Sequence, residues 1–165
     1  MISYKGAYDE NISRKRSHIM RSIHSKNTKP EIIVDGILSN LDINYMAHCH
    51  SLYGKPDFLC EAYKAAIFVN GCFWHGHQCH MFRTPDSTNK YWVSKLQKNS
   101  ERDIRVVSIL NNLGYKVIVV WECALIGKRK LDTLVLQDCL EEWLLAGNGN
   151  CEIDSKGLKA MVSSI

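Results

Sequence analysis

The sequence predicts an α/β fold, a small central mixed sheet flanked by helices and preceded by a basic N-terminal arm. Three observations carry this. Lys116–Trp121 is a β-branched run suited to a buried strand. Asp57–Tyr63 and Ala65–Val69 are strand-like and close enough together for a hairpin. Helical periodicity flanks these segments over residues 28–41, 90–112 and 131–146. A length of 165 residues suits one domain over residues 28–165 with an arm over residues 1–27.

In chain order, residues 11–25 set Ile12, Ile19, Met20 and Ile23 among basic residues, the pattern of a short amphipathic helix. Thr28-Lys29-Pro30-Glu31 is a helix start: Thr28 can cap, Pro30 fits the first turn, and Glu31 stands at the capping-box position. Ile32, Ile33, Ile37, Leu38 and Leu41 then mark an apolar face. Residues 43–49 form a further, less regular strand candidate. Residues 70–89 are rich in His, Gly and Cys, lack a period, and read as an irregular excursion. The helix over residues 90–112 sets Leu96, Ile104, Val107, Ile109 and Leu110 on its apolar side, with Gly114 as its stop. The last helix carries Leu134, Leu140, Trp143 and Leu144.

The net charge of +4 is unevenly placed. Residues 1–30 hold seven Lys/Arg against Asp9 and Glu10, a balance of +5, which leaves −1 for the remainder. Such an arm points to nucleic acid or another polyanion, or to a solvated tail. No apolar stretch is long enough for a membrane span, and no apolar segment follows the first basic residues as a secretion signal requires. The seven cysteines are therefore read in a reducing, cytoplasmic setting, as metal ligands or as buried thiols rather than a disulfide framework.

Cys72, His77 and Cys79 fall within eight residues of the irregular stretch. Thiolate and imidazole are the donors of tetrahedral zinc, which takes four ligands. Cys123, just after the Lys116–Trp121 strand, is the best fourth candidate. A zinc there would order a loop too polar to pack by itself; the alternative is two small buried thiols with exposed histidines. His75 and His80 are left over, and a spare histidine beside a carboxylate can serve as a general base.

Pro56-Asp57 opens a strand, a placement from which a carboxylate can hold magnesium with few other protein ligands. Glu31 is a second acid. The order of helix with Glu, Pro-Asp and strand resembles the PD-(D/E)xK nucleases. The expected acid-spacer-Lys is missing, however, because Phe68-Val69-Asn70 stands there. Two non-enzymatic readings compete: a zinc-bearing DNA-binding protein, which has no need of Glu31, Asp57 and His75 together, and a metal-storage or redox protein, which leaves the basic arm unexplained.

Longer motifs narrow the choice. Ile67-Phe68-Val69-Asn70-Gly71-Cys72-Phe73-Trp74-His75-Gly76-His77 strongly resembles the signature of the very-short-patch repair (Vsr) endonucleases. So do Gly54-Lys55-Pro56-Asp57-Phe58, Lys98-Asn99-Ser100-Glu101-Arg102-Asp103 and Val119-Val120-Trp121-Glu122-Cys123-Ala124-Leu125, and Arg16-Ser17-His18-Ile19-Met20-Arg21 in the arm. The resemblance runs from about residue 13 to 158.

The resemblance implies a divergent restriction-endonuclease-like fold that nicks double-stranded DNA 5′ to the thymine of a T:G mismatch. It also implies a catalytic Mg2+ and a structural Zn2+, with the zinc ligands falling on Cys72, His77, Cys79 and Cys123. Asp57 and the backbone carbonyl of Val69 then match the magnesium ligands, His75 the histidine that activates water, and Glu31 and Asp103 acids near the site. Phe73, Trp74 and Trp92 match aromatics that wedge into DNA from the major groove, and Met20 an arm residue entering the minor groove. The family further implies a monomer, and links to a DNA cytosine methyltransferase and a repair polymerase. This chain departs from the pattern twice. Val69 replaces a Thr, which a backbone ligand tolerates. Asn70 replaces a His; it cannot exchange a proton near neutrality, and it is expected to position a phosphate or water.

Overall fold

The computed structural model describes residues 26–86 and 88–162. The arm segment 1–25, with its expected helix and Met20, lies outside them.

The first helix, α1 (Lys29–Asn40), starts as its sequence predicts. Thr28 is the N-cap; its hydroxyl accepts from the Glu31 amide at 3.4 Å and donates to Glu31 Oε1 at 2.9 Å. A short strand β1 (Met46–Ala47) follows, then β2 (Phe58–Cys60), a 3-10 turn over Glu61–Tyr63 and β3 (Ala65–Asn70). The expected strand over Asp57–Tyr63 is thus cut to three residues. Its second half winds into a turn that ends on Lys64 at φ 47°, which reverses the chain into β3.

The long helix α2 (Lys90–Asn112) leads to β4 (Lys116–Trp121), a one-turn helix α3 (Glu122–Leu125) and α4 (Thr133–Ala146). Asp132 caps α4, its carboxylate accepting from the Leu134 amide at 2.9 Å. At the other end of α4, Lys116 Nζ donates to the carbonyls of Trp143, Leu144 and Gly147 at 2.7–2.8 Å, placing a cation at the helix C-terminus. Two strands that the sequence pattern does not announce close the domain: β5 (Cys151–Asp154) and β6 (Gly157–Ala160). Each is four residues, too short for alternation to stand out.

The six strands lie in chain order in one sheet. β1–β2, β2–β3 and β5–β6 pair antiparallel; β3–β4 and β4–β5 pair parallel, so the sheet is mixed as predicted. One face carries Phe58, Ile67, Ile118, Val120 and Ile153 against Val34, Ile37 and Leu38 of α1 and Leu136, Leu140, Trp143 and Leu144 of α4. The opposite face sets Ala66 and Val117 against Val106 and Leu110 of α2. Each large side chain so buried contributes about 1.5–3 kcal/mol relative to exposure.

Three expected core positions are corrected. Ile32, Ile104 and Leu134 are more than half exposed, because each falls just off the stripe that its helix turns to the sheet. Among the described residues, no helix is long and apolar enough to cross a membrane.

Candidate active site and metal centre

The site forms where β2 stops before β3 does. The β2–β3 ladder ends at Phe58↔Ile67, while β3 runs on beside β4 to Asn70↔Trp121. On the β2 side, the last backbone groups of β3 therefore have no strand to pair with. Asp57, immediately before β2, supplies the missing acceptor: its Oδ2 takes the Val69 N–H at 2.7 Å.

The turn leading into Asp57 is held tightly. Gly54, at φ +80°, lies so close to α2 that a Cβ would fall 2.4 Å from Val106 Cγ1, so only glycine fits there. The carbonyls of Pro56 and Asp57 accept from the amides of Cys49 and His48 at 3.2 and 2.7 Å.

A cleft of about 570 Å³ opens on the α2 face of the sheet. It gathers Glu31, Asp57, Val69, Asn70, Trp74, His75 and Asp103. Seven residues singled out from sequence positions 31 to 103 therefore meet in one depression, at the carboxyl edge of the parallel strands.

Glu31 is buried, at 6% exposure. Besides the Thr28 hydroxyl, its carboxylate accepts from the Asn27 amide at 2.8 Å. One donor atom from each of Glu31, His48 and Asp57 lies within 4.8 Å of the others. Burial, with the nearby Glu31 charge adding to it, pushes the Asp57 carboxyl up to about 6, against the lowering pull of the Val69 amide and of His48 and His75. Two crowded carboxylates with no cation side chain bonded to them fit a divalent cation, which would hold both ionised. Sequence reasoning missed His48. In the chain it is only one of several histidines, and its approach to Asp57 depends on the β1–β2 connection.

His75 Nδ1 is hydrogen-bonded to the Asp103 carboxylate. A carboxylate only accepts, so Nδ1 carries a proton, and the neutral tautomer that this selects has its lone pair on Nε2. The Asn70 amide lies 3.5 Å from the same Nδ1, placing Asn70 beside His75. The edge of the His75 ring meets Trp121 at 6.2 Å between centroids.

Behind this loop, one donor atom from each of Cys72, His77, Cys79 and Cys123 falls within 4.8 Å of the other three. The set is the one that residue types and spacing suggested, with Cys123 delivered by α3 at the end of β4. Burial raises the Cys72 and Cys123 thiols, so without a metal they would stay protonated. His77 Nε2 is a buried polar atom with no hydrogen-bond partner, the kind of orphan that a bound ion removes. These donors fit a soft or borderline metal of tetrahedral preference. The histidine is clamped by stacking on Trp121, 4.2 Å between centroids and 6° apart in plane.

Supports for this centre come from residues that sequence reasoning passed over. Glu122 Oε2 accepts from the Cys72 amide at 3.2 Å, and Glu152 Oε2 from Trp121 Nε1 at 2.7 Å. Asp154, buried and paired with Lys159 at 2.8 Å, lies 3.9 Å from His77 Nε2. Glu152 and Asp154 belong to β5, so nothing local in the sequence marked them. His80, the other spare histidine, is exposed and lines no part of the cleft.

Beside the cleft, Phe73, Trp74 and Trp92 form a half-exposed cluster with centroid separations of 5.3, 5.4 and 5.6 Å. Asn99 Nδ2 donates to the Trp74 carbonyl at 2.7 Å and ties the cluster to α2.

Known proteins share this sequence over most of its length. Residues 8–81 match the family model described as DNA mismatch endonuclease Vsr. The DNA mismatch endonuclease Vsr of Escherichia coli (strain K12) is 39% identical over 143 residues, covering 87% of this chain and 92% of that protein. The type II nicking enzyme V.NmeAIP of Neisseria meningitidis serogroup A is 45% identical over 114 residues, covering 69% and 81%. Among solved structures, the homing endonuclease I-Bth0305I catalytic domain aligns at 27% identity and a TM-score of 0.45, covering 72% of this chain and 96% of that one. The chain belongs to the DNA mismatch endonuclease Vsr family and is a DNA-cleaving hydrolase.

Proposed function

We propose that this endonuclease uses Mg2+ to nick double-stranded DNA on one strand, 5′ to the thymine of a T:G mismatch, and so starts very-short-patch repair. The observation that supports it most is the placing of the His75–Asp103 pair and the Asp57–Glu31 pair in one cleft, next to an aromatic cluster that is free to meet DNA.

Asp57 holds the cation, with Glu31 and His48 at its side. The Val69 carbonyl is the second ligand. In a strand, the amide and carbonyl of one residue face the same neighbour, and the Val69 amide faces Asp57. The bound cation supplies charge neutralisation at the scissile phosphate and the leaving oxygen. His75 takes the proton of the attacking water at Nε2, while Asp103 keeps the ring in the required tautomer and orientation. Asn70, beside the His75 ring, positions a phosphate or water.

Phe73, Trp74 and Trp92 enter at the mismatched step from the major groove. Unstacking costs a few kcal/mol per step and is least for a mispaired base, so deformability itself contributes selectivity. The basic arm, residues 1–27 with Met20, closes on the minor groove as a clamp. Zn2+ on Cys72, His77, Cys79 and Cys123 holds the loop that carries Phe73, Trp74 and His75. The protein works as a monomer, in functional link with a DNA cytosine methyltransferase and a repair polymerase.

A strand-labelled duplex with a single T:G pair tests the reading. The thymine strand is nicked when Mg2+ is present and stays intact in EDTA. Equal cutting of a matched T:A duplex, or no cutting in any flanking sequence, rejects it.

A further inference from the structure

A second basic feature stands apart from the arm and the cleft. The turn between α3 and α4 reads Gly127-Lys128-Arg129-Lys130, and all three cations are exposed. None of them forms an ion pair or side-chain hydrogen bond among the described residues. The nearest acid along the chain, Asp132, is engaged in capping α4, its carboxylate accepting from the Leu134 amide. Three consecutive unpaired cations are conspicuous because the chain beyond residue 30 sums to −1.

The position of the turn matters as much as its charge. It leaves α3, which starts directly where β4 ends, so it lies at the same sheet edge as the cleft. Gly127, at φ +90°, brings the turn within van der Waals reach of Met81: a Cβ there would stand 3.6 Å from Met81 Sδ. Met81 is followed by Phe82, whose ring lies 6.5 Å from Phe73, and by the exposed Arg83. Ring contacts thus link Trp92, Phe73 and Phe82, and Met81, the residue before Phe82, lies against Gly127 of the basic turn. A duplex seated on the aromatic cluster would carry its phosphates past that turn.

We propose that Lys128, Arg129 and Lys130, with Arg83 beside them, form a second phosphate-backbone contact that grips the duplex flank next to the aromatic cluster without reading any base. It rests on the reading of the aromatic cluster as the DNA-facing surface. Exposed, unpaired cations lose only hydration and counterions when they meet phosphate, so they add sequence-independent, salt-sensitive affinity.

The test compares the full chain with a K128Q/R129Q/K130Q variant, whose exposed substitutions leave the core and the cleft untouched. Binding to a T:G duplex and to its matched counterpart is followed by fluorescence anisotropy over a range of salt. The slope of log K against log[salt] should become shallower by about 0.9 for each phosphate that the variant no longer neutralises. Affinity should fall equally for both duplexes, and nicking at saturating enzyme should be unchanged. Trimming the duplex on the gripped flank should make wild type and variant bind alike, whereas trimming the other flank should not. A K64Q control, at the far edge of β3, should leave the slope alone.

The proposal falls if variant and wild type share the same slope on every duplex, as they would if the turn served a protein partner. It also falls if K64Q moves the slope as much per charge. Wild type with no preference for the T:G duplex would instead count against the mismatch reading, and the slopes would still judge the turn.

Discussion

Asp57 Oδ2 accepts the Val69 amide proton at 2.7 Å across the point where β2 gives out and β3 continues. One hydrogen bond caps an open ladder and fixes the direction of the carboxylate on which the proposed chemistry depends. Its partner is a backbone group, so the side chain of residue 69 is not needed for it.

Asp57→Asn keeps an acceptor for Val69 and removes only the charge. Nicking should fall at least about a hundredfold, the scale on which one well-placed electrostatic group matters. Binding of a T:G duplex should persist and cation binding should be lost. Single-turnover nicking, anisotropy and Mn2+ titration measure the three separately.

The raised Asp57 carboxyl gives a pH signature. Its pKa lies near 6 in the folded chain and at 3.8 unfolded. Between those values the folded state binds more protons, so without added divalent cation stability falls as pH rises through this window. The loss is on the order of 2 kcal/mol for a carboxyl only partly screened from water. Asp57→Asn should abolish that component, and added Mg2+ should oppose it at the upper end. Urea unfolding at intermediate pH values, wild type against variant, reads the difference.

His75→Ala should lower the nicking rate by about 10²–10⁴, the usual span for loss of a general base. Asp103→Asn should cost less, about 10–100-fold, because it disturbs the orientation of the ring rather than removing it. If instead the Asp103 variant loses more than the His75 variant, the pair does not act in the proposed order.

Metal analysis of purified protein should give about one zinc per chain, the content of a single four-ligand site. Cys123→Ser should lower that content and the melting temperature together, since such a site contributes directly to folding. The same variant should blunt T:G binding, because Phe73 and Trp74 sit on the loop that the centre holds.

Trp92→Ala should reduce discrimination between T:G and T:A duplexes on the order of tenfold, as expected for the loss of one stacking surface. Zinc content should be unchanged, since Trp92 lies on α2 and touches Phe73 and Trp74 rather than the ligands.

The helices of the described residues, the buried β4 and the four clustered metal donors, three of them within eight residues, were legible in the chain, and Asp57 and Glu31, singled out there, line one cleft. Their signals are local: a Thr–Glu capping pair, a β-branched run, ligands within eight residues. Helix periodicity, by contrast, misjudged Ile32, Ile104 and Leu134, because a small turn of the helix about its axis decides which flank residue meets the sheet. It took the folded sheet to create β5 and β6 and to bring Glu152 and Asp154 behind the metal donors. Folding likewise set His48 beside Asp57, Asp103 against His75 and Asn70 next to His75, and joined a basic turn to the aromatic loop through Met81. Most of these partners are far apart along the chain, and strand pairing and loop closure bring them together. No short window of sequence carries that information, since the energy that selects it comes from interactions made only when the whole sheet is formed.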